Sequence, residues 1–203
     1  MRSAIYYAFD KSTDAPPVPT TVTFHIPTSD PNYNAGTGVF TIRPTFLMVA
    51  PGAGTTIDGS TQTAFTGDTN ASGPEIVIDG SQVGAQNLGL SALGFFLHEM
   101  NCTIKNLVIN SFNQQGIAID GARAALFGTS ASGNVISGCY IGTDKTGGVG
   151  IGNTFPAVEI SGAAHNNTIG GTTAAARNII SGGLHYGIYI HDAGTNSNLI
   201  EGN

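Results

Sequence analysis

Five side chains in this 203-residue chain are of types suited to holding or cleaving a sugar: Phe96, Glu159, Tyr189, His191 and Asp192. Aromatic faces stack on sugar rings, and carboxylates accept bonds from hydroxyls. Glu159 with Asp192 is a candidate carboxylate pair for glycoside cleavage, and His191 is a candidate proton carrier. The competing reading is an ordinary solvated face, where exposed Glu and Tyr serve solubility. His191, Asp192 and Asp120 could form a metal set, but the dense ligand spacing of metal sites is absent, so no metal is expected. Asp58-Gly59, Asp79-Gly80 and Asp120-Gly121 recur after apolar runs. Calcium is one reading of that recurrence; good turn chemistry is the simpler one, and no cofactor is expected.

Strands must position these groups. One strand type recurs as Gly94-Phe95-Phe96-Leu97, Gly116-Ile117-Ala118-Ile119, Ala157-Val158-Glu159-Ile160 and Gly187-Ile188-Tyr189-Ile190. A second recurs as Cys102-Thr103-Ile104, Asn134-Val135-Ile136, Asn167-Thr168-Ile169 and Asn198-Leu199-Ile200, at intervals of 32, 33 and 31 residues. A third reads Leu107-Val108-Ile109, Cys139-Tyr140-Ile141 and Asn178-Ile179-Ile180. Alternation puts Ile104, Ile136, Ile169 and Ile200 in one inward column. It turns Phe96, Ala118, Glu159 and Tyr189 outward, followed by His98, Asp120, Ser161 and His191. Asn134, Asn167 and Asn198 then form a corner column able to bond along the stack. The expected fold is all-β: a right-handed parallel β-helix with three short strands in each coil.

Residues 1–50 differ in pattern and are expected to be an N-terminal extension and cap, with the coils in residues 51–203. Ala15-Pro16-Pro17-Val18-Pro19 reads as a stiff linker, and Phe46-Leu47-Met48-Val49 as a short strand. The final segment, Asn198–Asn203, stops within a coil, which predicts either continuation of the natural protein or end-to-end self-association.

Composition narrows the partners. The chain carries 29 Gly, no Trp, 7 basic residues and a net charge of −6. With no basic stripe, nucleic acid is not an expected partner. No apolar run approaches the ~20 residues that span a bilayer, so a membrane is not expected either. Cys102 and Cys139 fall on inward positions of different strands, as buried free thiols would; a disulfide is the alternative.

The pieces Asn134-Val135-Ile136-Ser137-Gly138-Cys139-Tyr140-Ile141-Gly142, Asn167-Thr168-Ile169-Gly170-Gly171-Thr172-Thr173 and Ala176-Arg177-Asn178-Ile179-Ile180-Ser181-Gly182 resemble bacterial repeat proteins of the pectate-lyase-like superfamily. The resemblance implies fold rather than activity. Arg43-Pro44 lacks the second Arg of the lyase pattern, and the Asn-Thr-Asp, Asp-Asp, Gly-His-Gly and Arg-Ile-Lys motifs of the hydrolases do not occur. No catalytic residue of that superfamily therefore maps onto this chain. The expected function is a secreted or cell-surface scaffold or adhesive module with a polysaccharide as partner, although the sequence carries no signal peptide. The alternative is a polysaccharide-active enzyme, a lyase before a glycosidase.

Overall fold

The computed structural model describes residues 18–45, 48, 50–83 and 93–203. The Pro-rich linker falls largely outside them, as does most of the expected strand at Phe46-Leu47-Met48-Val49.

Short apolar runs separated by Gly, Asn and Asp can form only short strands, and sixteen occur among the described residues, each of two to four residues. They assemble into three sheets. The first holds Thr21–Thr23 (β1), Thr56–Asp58 (β4), Thr103–Lys105 (β7), Val135–Ser137 (β10), Thr168–Gly170 (β13) and Leu199–Glu201 (β16), in that order. The second runs Tyr33–Asn34 (β2), Val39–Ile42 (β3), Ile76–Asp79 (β5), Val108–Asn110 (β8), Tyr140–Ile141 (β11) and Ile179–Ile180 (β14). The third holds four: Phe95–Leu97 (β6), Ile117–Asp120 (β9), Val158–Ser161 (β12) and Ile188–Ile190 (β15).

This corrects the expectation of a single all-β solenoid, a right-handed parallel β-helix with three strands in every coil. The strands divide into sheets of six, six and four, and the third sheet has no described member before Phe95. The second sheet is mixed, because β2 and β3 pair antiparallel while the other pairs are parallel. Among the described residues two α-helices, Ser60–Thr66 and Gly121–Leu126, interrupt the strands. Each is under two turns long, too short to leave a helical period in the sequence. Asp120 starts the second helix by accepting from the Arg123 N–H at 2.9 Å, the usual task of an N-cap carboxylate. Thr21–Thr23 and Val39–Ile42, placed in the cap by their sequence, pair in parallel with Thr56–Asp58 and Ile76–Asp79.

The core lies between the sheets. In the first sheet the register aligns Val22, Ile57, Ile104, Ile136, Ile169 and Ile200. In the third it aligns Leu97, Ile119, Ile160 and Ile190. Ile57, Ile104, Ile136 and Ile169 are fully buried, each contributing about 1.5–3 kcal/mol. The Asn column closes one corner. Asn167 Oδ1 accepts from both the backbone N and Nδ2 of Asn134, each at 2.9 Å, and Asn198 Oδ1 serves Asn167 in the same way. Where the chain then turns, Asn106 (φ 53°) and Gly138 (φ 63°) occupy the left-handed region that their types tolerate.

Candidate functional site

The third sheet builds the site. Its register sets Phe96, Ala118, Glu159 and Tyr189 in one outward row across four strands. At about 4.8 Å per strand, Phe96 and Tyr189 stand roughly 14 Å apart. The structure therefore gathers Glu159, Tyr189, His191 and Asp192 at one end and leaves Phe96 at the other.

At the first end, His191 is held on both sides. Its Nε2 lies 3.1 Å from Glu159 Oε1, and its Nδ1 lies 2.9 Å from Asp192 Oδ1. Hydrogen bonding to Asp192, then to Glu159, raises the His191 pKa above the usual imidazole value. The same bond from His191, with a second from the Gly162 N–H, lowers that of Asp192. Glu159 is held in turn by Gln115, whose Nε2 donates to Oε2. With the imidazole between them, Glu159 and Asp192 leave no gap for a glycosidic bond. That arrangement does not suit the carboxylate pair considered from the sequence.

The aromatic groups are arranged differently from the expectation that Tyr189 offers its face to a sugar. Tyr189 stacks on His191 with centroids 4.4 Å apart and on Tyr186 at 4.9 Å, both nearly parallel. Its two faces are thus taken by neighbouring rings. Tyr186 ends the stack, 59% exposed, with no ring on its outer face among the described residues. Beside it, Phe155 stacks on His185 at 5.5 Å. Tyr186 and Gln115 escaped the sequence reading because both precede their strands. The available signal was the register: the Ala157 N–H bonds the Tyr186 carbonyl, which places Tyr186 at the entry of the same sheet.

Phe96 belongs to a second cluster. It meets His98 edge-on at 5.4 Å, and His98 stacks on Phe127 at 5.3 Å, just past the helix Gly121–Leu126. His98 Nδ1 has no hydrogen-bond partner among the described residues, since Glu99 Oε1 lies 3.6 Å away. Burial lowers the His98 pKa and raises that of Glu99.

The Asp-Gly carboxylates serve their own turns. Asp58 accepts from Ser60 and pairs with Lys105, and Asp79 accepts from the Ser81 N–H and pairs with Arg43. Among the described residues no three His, Cys, Asp or Glu side chains are grouped to hold a metal ion. Cys102 and Cys139 are buried and free, and burial pushes both thiols up to about 12. No described helix is long and apolar enough to cross a membrane. The secreted or surface location expected from the sequence gains no support from the fold.

No protein-family model, curated protein or solved structure matches this chain. The resemblance to pectate-lyase-like proteins thus gains nothing from relatives, and the functional reading rests on the site's geometry.

Proposed function

We propose that the outer face of the four-stranded sheet is a contact surface for a sugar chain, and that the protein is a binding or adhesive module. The observation that carries this reading is the Tyr186–Tyr189–His191 stack, locked at its His191 end by Glu159 and Asp192. A rigid stack costs little entropy on binding and offers one flat aromatic face at Tyr186. The phenols and the remaining carboxylate lone pairs lie alongside to take sugar hydroxyls. Binding is favoured over cleavage because both nitrogens of His191 are engaged, and a general base needs a free one.

Isothermal titration and polymer pull-down against a panel of polysaccharides test the proposal, with released sugar ends assayed in parallel. Binding without release of ends is expected. Tyr186→Ala should weaken it about tenfold, the order of one lost aromatic contact. Retention of no polymer, or release of unsaturated ultraviolet-absorbing ends, would overturn the proposal.

A further inference from the structure

Resting on that reading, we infer that this face selects sugar chains without carboxylates: it is built to accept hydrogen bonds from ligand hydroxyls and it turns polyuronates away. The inference comes from counting donors and acceptors around the Tyr186 platform. The His191 ring has Nε2 engaged with Glu159 and Nδ1 with Asp192, and the neighbouring His185 ring is stacked on Phe155. Gln115 spends an amide N–H on Glu159. What remains toward solvent is acceptor capacity: the outer lone pairs of Glu159 and of Asp192, whose side chain is 54% exposed. The Tyr186 and Tyr189 phenols, which can donate or accept, add to it.

Among the described residues no Lys or Arg bonds or stacks with the groups of this platform. Arg123 lies at the far end of the sheet, its guanidinium 5.6 Å from the centre of the Phe127 ring. Lys105 is paired with Asp58 on the first sheet, and Arg43 with Asp79 on the second. Arg177 lines a cavity of about 360 Å³ beside Tyr140 and Glu75, against the second sheet. A uronate lying on Tyr186 would therefore bring a negative charge toward two carboxylates, with only neutral phenol O–H groups to receive it. Like charges at such range repel, and burial by the ligand sharpens the repulsion. A hydroxyl in the same place finds acceptors already oriented. Net charge points the same way, since the chain carries −6 overall.

The test uses polymer pairs that differ chiefly in carboxylate content: methyl-esterified against de-esterified homogalacturonan, and native against C6-oxidised cellulose oligosaccharides. Affinities are measured by titration at low and at high salt. The uncharged member of a bound pair should bind at least tenfold more tightly, and added salt should narrow the gap by screening. Asp192→Asn, alone and combined with Glu159→Gln, should raise the ratio of acidic to neutral affinity at least threefold. Asp192 sits at φ 71°, a conformation Asn adopts readily, so the single variant keeps its backbone. Equal or tighter binding of the acidic member, or a gap that neither variant moves, overturns the selectivity and leaves the contact surface standing. Binding of no polymer in the wider panel sinks the contact surface and the selectivity together.

Discussion

Replacing Asn167 probes the corner column directly. Its side chain is fully buried and makes four bonds: Oδ1 accepts from the backbone N and Nδ2 of Asn134, and Nδ2 donates to the Ala131 carbonyl at 3.1 Å and to Asn198 Oδ1 at 2.9 Å. Asn167→Ala removes all four and strands the Asn134 backbone N–H, itself fully buried. With about 0.5–1.5 kcal/mol net for each bond, and about 1–3 kcal/mol for a buried donor left unpaired, the loss should be about 3–9 kcal/mol. That is a large share of the ~5–15 kcal/mol holding a typical domain folded. Asn167→Asp keeps the acceptor but turns an oxygen toward the Ala131 carbonyl and Asn198 Oδ1, so it should be at least as damaging. Asn196→Ala, at an exposed position one turn away, should cost under about 0.5 kcal/mol. Urea unfolding followed by circular dichroism measures all three. An Asn167→Ala protein within about 0.5 kcal/mol of the parent would refute the ladder as a source of stability.

Three further outcomes follow from the same geometry. Ile169→Asp should abolish cooperative thermal unfolding, because it puts an unpaired charge at a fully buried position of the inward column; Thr168→Asp, half-buried on the other face of that strand, should shift the midpoint only slightly. Nuclear magnetic resonance titration should place His191 above the usual imidazole value and His98 below it. Because the folded pKa of His191 is raised, its stabilisation is fully present below the unfolded value and is lost as pH rises through the folded one, a loss that His191→Gln should abolish. Cys102 and Cys139, with thiols pushed up to about 12, should react with a thiol reagent at neutral pH only once the chain is unfolded; rapid modification of the native protein would contradict their burial.

Alternation was enough to read the inward column of Ile104, Ile136 and Ile169 and the outward row of Phe96, Ala118, Glu159 and Tyr189; Ile200, in the same register on the edge strand, is left exposed. A strand repeats every two residues, so polarity along the chain reports its two faces. The Asn column was legible for a related reason: Asn134, Asn167 and Asn198 recur at the same offset from those strands. The helices at Ser60–Thr66 and Gly121–Leu126 were not, since six or seven residues hold too little of a 3.6-residue period, and the division into three sheets depends on pairings between distant segments. The site was only half visible. Sequence could name Glu159, Tyr189, His191 and Asp192, but tertiary structure decided that His191 is pinned between two carboxylates, that Tyr189 has both faces covered, and that Phe96 joins His98 instead. Glu159 reaches His191 from 32 residues away, brought within hydrogen-bond distance by the roughly 4.8 Å spacing between strands; Tyr186, Asp192 and His98 lie within three residues of their partners, but which way each side chain turns is set by the packing around it.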